Sequence, residues 1–444
     1  MVVEVKGRDA SEYVIAQGGH RESDEPALVE RQISEPVPAR FSVERTFAAL
    51  KYRNYRLWFL GQLGSLVGTW MQITAQGYLV YELTRSPAYL GYVGFAGGIP
   101  SWVFMMYGGV ISDRMSRRTL MIVTQTSMML LAFVLAALTF AGTVQAWHII
   151  VLAFLLGVAN AFDAPARQAF VLEMVERKDM VNAIALNSMM FNAATAVGPA
   201  IAGIAYALVG PAWCFTINGL SFLAVIAALL LMKLKPIVKR EHKASAVQEL
   251  HEGLTYVAHH TIIRALILIA LFVSLFALGY STLLPAWAVS ILGGNATTAG
   301  LLQSMRGIGS LIGALMIAAL GRVNFKGRLL TLGTFLFPLL LLVFAAVKWV
   351  PFSLLVILGV GLGSMIVFNM LNVLIQTLVN DDLRGRVMGI YTLAFFGSGP
   401  IGALLAGSLA NAAGEPFTIV LGALITLAFA TYFYIRLPQL RALE

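Results

Sequence analysis

The sequence predicts an all-α membrane protein, with twelve transmembrane helices forming two pseudo-symmetric six-helix bundles. The first observation is composition: of 444 residues, 59% are hydrophobic and 12% charged, with a mean hydropathy of +0.80. Soluble domains carry about 25% charged residues, so this apolar excess cannot be hidden in one globular core. The second is the recurrence of apolar runs of the about twenty residues needed to cross a hydrocarbon layer about 30 Å thick. The third is an alternation of basic loops, set out below.

Residues 1–46 are mixed in charge, polar and poor in aromatics, and are expected to form a disordered cytoplasmic tail. The first 55 residues lack a cleavable signal peptide, so the run from Leu57 is expected to serve as an uncleaved signal anchor. Six runs follow at 57–81, 88–111, 119–142, 146–170, 181–209 and 212–233, and six more at 263–291, 297–320, 328–347, 351–378, 386–411 and 415–436. The reading therefore divides the chain into a first bundle over 47–233, a linker over 234–262, a second bundle over 263–436 and a short cytoplasmic tail over 437–444. In the linker, Val247, Leu250, Leu254 and Val257 fall at helical spacing with Glu249, Glu252 and His259 between them, which predicts an interfacial amphipathic helix.

Lysine and arginine occupy the segment before span 1 and every even-to-odd loop, and only Arg85 and Lys348 break the pattern. By the positive-inside rule both termini and the linker lie in the cytoplasm, in the cytoplasmic (inner) membrane of a cell. The formal charge of +9 is dispersed among loops, without a basic patch interleaved with aromatics, so no nucleic-acid partner is expected. The halves resemble each other: Gly198-Pro199-Ala200-Ile201-Ala202-Gly203 recurs about 200 residues later as Gly399-Pro400-Ile401-Gly402, with Ala406-Gly407 beyond, and Asp179 and Asp382 keep nearly the same offset. Such duplications place one substrate site between the halves near mid-bilayer.

Several chemistries are excluded. The single cysteine, Cys214, cannot form an intramolecular disulfide, a zinc framework or an Fe–S cluster. No phosphate loop or dinucleotide fingerprint is present, and His242, His251, His259 and His260 lack the His-Glu-x-x-His order of a metal site. Gly397-Ser398-Gly399 is not a nucleophile elbow. No catalytic residue, metal or cofactor is expected, and no enzyme activity.

The string Gly109-Val110-Ile111-Ser112-Asp113-Arg114-Met115-Ser116-Arg117-Arg118, between spans 2 and 3, resembles the loop signature of the major facilitator superfamily. Within it, Asn54-Tyr55-Arg56, Thr84-Arg85-Ser86-Pro87, Asp163-Ala164-Pro165-Ala166-Arg167-Gln168 and the stretch Glu249 to Val257 followed by Arg264 look like the enterobactin-exporter and macrolide-efflux group. The resemblance runs from about Phe47 to Arg436. Ser116 stands where the family usually has glycine, and Asn324 replaces the acid in the second-half copy. The resemblance implies alternating access by a monomer, with a small-molecule substrate, membrane lipid around it and the proton as coupling ion. Export of a siderophore-like or drug-like amphipathic molecule is the leading expectation; import of a polar solute, lipid translocation and a membrane-embedded enzyme are the rivals.

The signature makes physical sense as a cytoplasmic gate of Gly109, Asp113, Arg114, Arg117, Arg118, Asp163 and Arg167. Asp113 would meet the positive N-terminal end of span 11 near Val387, and Arg117 would reach Asp163. Alternatively these charges only mark topology. Asp163 and Arg167 stand one helical turn apart, as a structural latch or as a carboxylate that takes up a proton when the arginine moves away.

Arg306 lies about nine residues into span 8, roughly 14 Å deep at 1.5 Å per residue. A cation there costs at least ~2.5 kcal/mol on insertion scales, so it either faces a wet cavity, favouring an anionic or acceptor-rich substrate, or ties helix carbonyls together. Gln72, Gln76, Asn160, Asn192, Tyr280, Gln303 and Arg306 are the candidate substrate-binding residues, with Ser274 at similar depth. Trp70, Phe276 and Trp287 are candidates for apolar and stacking surface. Gly64 and Gly68, and Gly309 and Gly313, have the small-xxx-small spacing of close helix contacts.

Overall fold

The computed structural model describes residues 47–171, 173–233, 246–320 and 325–443, with backbone alone at 105–114 and 246–250. The readings made for the tail 1–46, the loop 234–245 and Asn324 lie outside the described residues. Every expected apolar run is helical. In the first half α1 spans Arg53–Thr84, α2 Pro87–Arg114, α3 Arg117–Phe140, α4 Ala146–Val171, α5 Met180–Val209 and α6 Pro211–Leu231. The linker helix α7 spans Ala246–His259. In the second half α8 (Thr261–Phe272) continues through a π turn at Val273–Ala277 towards α9 (Tyr280–Ser290), followed by α10 (Ala296–Leu320), α11 (Lys326–Ala346), α12 (Val350–Leu378), α13 (Asp381–Ala413) and α14 (Glu415–Arg436). The described residues contain no strand.

Among the described residues ten segments, α3 to α6, the joined α8–α9 and α10 to α14, are long and apolar enough to cross a membrane. The helices α1 and α2 are not among these ten, although α1 is 32 residues long and α2 28. In α1 the cause is visible: Gln62, Gln72 and Gln76 dilute its apolar content, and all three are buried against protein. A glutamine that faces inward lowers the hydropathy of a span without touching lipid.

The helix ends at Arg53, Arg117, Lys326 and Arg436, with Arg177 and Lys178 in the short turn just before α5, make up the basic face of the molecule. Turns at the opposite face depend on backbone that glycine supplies: Gly210 and Gly414 both take φ of +88°, each followed within two residues by a proline that starts the next helix. These two turns occupy equivalent places in the two halves.

The halves meet along two seams, α2 against α13 and α5 against α10. Each seam sets a proline of one half against a glycine of the other. A methyl group added at Gly98 would stand 2.1 Å from Pro400 Cγ, and one added at Gly300 would stand 2.4 Å from the Pro199 carbonyl oxygen. The repeated Gly-Pro pairs therefore lie inside uninterrupted helices and serve as contact points between halves. Of the small-xxx-small pairs, Gly309 and Gly313 bring α10 against α12 and Gly68 brings α1 against α6, whereas Gly64 faces open space.

Among the described residues, span 7 is the place where an expected continuous helix is interrupted. The Leu278 amide donates to the Val273 carbonyl at 3.0 Å, an i to i+5 bond that widens the turn. Ser274 Oγ donates to the Phe395 carbonyl of α13 at 2.6 Å, and the backbone at Ser274 and Leu275 lies close against Gly402. The α13 contact thus holds the wide turn in place.

The linker helix packs on α13 and α8, by Gly253 against Ile390 and Arg386, an ion pair between Glu252 and Arg386, and Val257 buried in the core of the second half. At the C-terminal end, the Gly327 amide donates to the Leu443 carbonyl at 3.0 Å.

The second half has one continuous apolar core. In the first half the core is divided among separate clusters near the basic face, near the opposite face and between them. The two middle clusters border a cavity into which several helices also bring polar side chains.

Candidate functional site

The cavity has a volume of about 180 Å³ and lies inside the first half. Helix α1 lines it with Gln62, Ser65, Thr69 and Gln72 at three- and four-residue spacing, which is one helical face. Helix α4 contributes Asn160, Asp163 and Arg167 by the same spacing, α3 supplies Gln125 and α6 Asn218. Trp70, Phe191 and Phe222 form apolar walls, with Trp70 and Phe191 edge to face at 5.9 Å between centroids. Drug-sized ligands occupy pockets of roughly 300–1,000 Å³. The cavity is therefore sized for a head group, or for about six waters at roughly 30 Å³ each.

Asp163 is 1% exposed. Its Oδ1 accepts from Thr124 Oγ1 at 2.8 Å and from Gln125 Nε2 at 3.0 Å, while Oδ2 faces Arg167 Nε at 3.6 Å. The last distance exceeds the 2.7–3.2 Å range of a good N–H to O bond, so Arg167 neutralises the carboxylate without being clamped to it. The carboxylate also fixes the Gln125 amide, because only the NH2 end can donate to it. Gln125 Oε1 is consequently a buried carbonyl oxygen with no partner, and Gln62 Oε1 is another. Leaving such a group unsatisfied costs about 1–3 kcal/mol. Beside them, Asn218 Nδ2 donates to Gln72 Oε1 at 2.7 Å.

Of the seven expected substrate-binding residues, Gln72 and Asn160 line this cavity. Gln303 is buried on α10 and meets Thr74 of α1 across the halves, oxygen to oxygen at 3.4 Å. Tyr280 and Arg306 face each other in the second half, within electrostatic reach, with both the Tyr280 hydroxyl and Arg306 Nε buried and lacking a well-formed hydrogen bond. Gln76 is buried outside the cavity lining. Asn192 turns back on its own helix, Nδ2 donating to the Ser188 carbonyl at 2.8 Å. Of the apolar candidates Trp70 lines the cavity, Trp287 is fully buried against Phe344, and Phe276 stacks on Phe272.

Of the expected gate the structure describes Arg117, Arg118, Asp163 and Arg167, and one expected contact differs. Asp163 and Arg167 form their i,i+4 pair, but as part of the cavity wall. Arg117 does not reach Asp163; it pairs with Glu173. The reason is depth, since Asp163 lies eight residues, roughly 12 Å, inside the end of α4, while Glu173 sits just beyond that end. Arg118 donates to the Leu230 carbonyl at 2.9 Å and satisfies the last turn of α6. The side chains of Asp113 and Arg114, and the surroundings of Gly109, lie outside the described residues, and with them the expected contact near Val387.

On the basic face, outside the spans, Asp179 accepts from the Tyr52 hydroxyl at 2.7 Å and pairs with Lys51 at 2.5 Å. The bond from Lys51, with that from Tyr52, holds the Asp179 carboxyl below its ordinary value, and the same bond raises Lys51.

Contacts between the halves run from mid-bilayer to the opposite face. Besides the two proline seams, Thr297 Oγ1 donates to the Gly203 carbonyl at 3.2 Å and Ser86 Oγ to Asn411 Oδ1 at 2.6 Å. Ser290 Oγ donates to the buried Glu415 at 3.0 Å, and Tyr81 of α1 lies within electrostatic reach of both. The opposite face is closed by these contacts.

Two bundles joined by glycine seams, with buried polar groups inside a sheath of apolar helices, define a multi-pass membrane transporter. Comparison with known proteins agrees. The model of the family described as transmembrane secretion effector matches residues 44–444. The chain is 25% identical to the staphyloferrin A transporter of Staphylococcus aureus, covering 83% of this chain and 92% of that one. It is 29% identical to the multidrug efflux pump Tap of Mycobacterium tuberculosis, covering 86% and 93%. The crystal structure of the nucleoside transporter NupG shares the fold, with a TM-score of 0.66 at 17% identity over 87% of this chain and 98% of that one. The chain belongs to the transmembrane secretion effector family, within the major facilitator superfamily, and is a transporter and not an enzyme.

The residues that sequence reasoning missed are Thr124, Gln125, Asn218 and Gln62. Each is a polar side chain in an apolar run, the same signal that drew attention to Gln72. Gln125 stands 38 residues from Asp163, and no local periodicity links positions so far apart.

Proposed function

We propose that this protein exports a small amphipathic molecule from the cytoplasm across the cytoplasmic membrane by alternating access, driven by the proton gradient, and acts as a monomer. The observation that carries the proposal is the cavity, in which amides and a carboxylate face aromatic walls, as an amphipathic head group requires. The relative named as a multidrug efflux pump supports the outward direction, and the one named as the staphyloferrin A transporter supports a small-molecule cargo.

The basic face is the cytoplasmic one by the positive-inside rule, with both termini on it. Closure of the opposite face then suits a state that loads from the cytoplasm. Parting of the halves along the two seams would open the opposite face while the basic one closes, where Gly109, Asp113, Arg114, Arg117 and Arg118 act as gate residues. Asp163 is the proton site: uptake of a proton removes the charge that attracts Arg167, and loss of the proton restores the pair. Tyr280, Gln303 and Arg306 form the second-half contribution to the path, where the Arg306 cation, beside the Tyr280 hydroxyl, attracts acceptor groups.

The test is accumulation of siderophores, macrolides and dyes in cells with and without the protein, repeated after the proton gradient is collapsed. Lower accumulation that vanishes with the gradient is the expected result. Unchanged accumulation across the panel, with the protein present in the membrane, would sink the export reading and favour import or lipid translocation.

A further inference from the structure

We infer that the first-half cavity selects an organic cation bearing an N–H donor on an apolar ring body, with Gln125 as the specificity residue and Arg167 as the internal competitor that the cation displaces. This rests on the export reading and names its substrate class.

The argument begins with what the cavity leaves unsatisfied. Gln125 cannot turn its amide over, because Nε2 is committed to Asp163 Oδ1. Its Oε1 therefore remains an acceptor, buried and unpartnered, beside a carboxylate. A ligand that donates a hydrogen satisfies this oxygen, whereas a carboxylate or phosphate brings a second acceptor to it. Gln62 Oε1 of α1, which lines the same cavity, presents the same deficiency.

Charge gives the second step. The two charges of the cavity are held unequally. Asp163 is 1% exposed and fixed by two hydrogen bonds on Oδ1, while the Arg167 side chain is 24% exposed and touches Oδ2 only at 3.6 Å. Of the two, Arg167 is the one free to leave, and its departure exposes a negative site. A protonated amine can take its place at Oδ2 and donate to Gln125, with Trp70 and Phe191 against its apolar body. When the amine leaves, Arg167 returns, so the buried carboxylate is never left without a counter-charge.

The test uses the full protein in lipid nanodiscs and three naphthyl probes of matched shape, ending in dimethylammonium, trimethylammonium or carboxylate. Binding is read by tryptophan fluorescence. The dimethylammonium probe is expected to bind about tenfold more tightly than the trimethylammonium probe, which lacks the N–H, and the carboxylate probe weakest. In Gln125→Met the two cations bind alike. In Arg167→Gln both cations bind more tightly, an effect that a merely structural arginine would not produce.

Tightest binding of the carboxylate probe, or weaker cation binding in Arg167→Gln, would overturn the inference. The ranking in the unaltered protein tests it even where a variant fails to fold. Export of other molecules with no cation binding would refute this site alone, whereas cation binding without gradient-driven export would refute the export reading and leave the site standing.

Discussion

The seam between α5 and α10 makes a quantitative prediction about conformation. In Gly300→Ala the new Cβ would stand 2.4 Å from the Pro199 carbonyl oxygen and 3.0 Å from the Gly203 Cα, where ordinary contact begins at 3.4 Å. The helices must part by about 1 Å, a distortion of the kind that costs about 1–3 kcal/mol in packed interiors. The alanine also favours helix by up to about 1 kcal/mol, so the helix itself is not weakened. The cost falls only on the state in which the seam is closed, and a bias of that size shifts a two-state equilibrium by roughly 5- to 150-fold. Gly64→Ala is the control, since nothing lies within 4 Å of its Cβ position. Spin labels at Leu83 and Ala412, beside the Ser86–Asn411 contact and in a Cys214→Ala background, report the gap by double electron–electron resonance. Longer distances in Gly300→Ala but not in Gly64→Ala are expected. An unchanged distribution would show that the seam is not what holds this face shut.

The remaining predictions concern polar networks. Asp163→Asn should abolish gradient-dependent export with the protein still folded, so that cells carrying it accumulate as much substrate as cells lacking the protein; retained gradient dependence would remove the proton role. Gln72→Leu takes the partner from the buried Asn218 amide and should lower stability by about 1–3 kcal/mol, read as the midpoint of thermal unfolding. Glu252→Ala breaks a half-exposed ion pair worth at most about 1 kcal/mol, so stability should hardly change while protease cleavage within the linker helix becomes faster. The Lys51–Asp179 tether has a defined pH window. Asp179 is depressed, so its contribution is present above its ordinary value of 3.8 and is lost as pH falls through the depressed value; Lys51 is raised, so its contribution is present below 10.5 and is lost as pH rises through the raised value. Label mobility at Phe47 should be flat between those limits and rise outside them.

The helices were legible because the bilayer imposes length and apolarity on each span separately, and the alternation of basic loops is additive along the chain. Fold membership was legible in the loop string ending at Arg118. The site was legible only in part. Gln72, Asn160, Asp163 and Arg167 announced themselves as polar groups at depth, and all four line the cavity. Depth alone, however, does not say which way a residue points around its helix, and so Asn192 was expected in a cavity although it bonds its own backbone. Arg117 shows a different limit: two acids, one inside α4 and one just past its end, compete for it, and the choice between Asp163 and Glu173 depends on axial position, which a sequence gives only once the helix ends are known. The π turn left no mark, because its five residues, Val273 to Ala277, read as ordinary apolar helix.

That turn also bears on how the duplicated halves correspond. A bond from residue i to i+5 accommodates one residue more than a bond to i+4, and α1, the first-half counterpart of span 7, runs without interruption from Arg53 to Thr84. Residues before Val273 and after Ala277 therefore belong to two different alignment registers with α1, offset by one position. Any comparison of the halves that forbids a gap there will match the residues of one end of the span to the wrong side of its ancestral twin, about 100° around the helix.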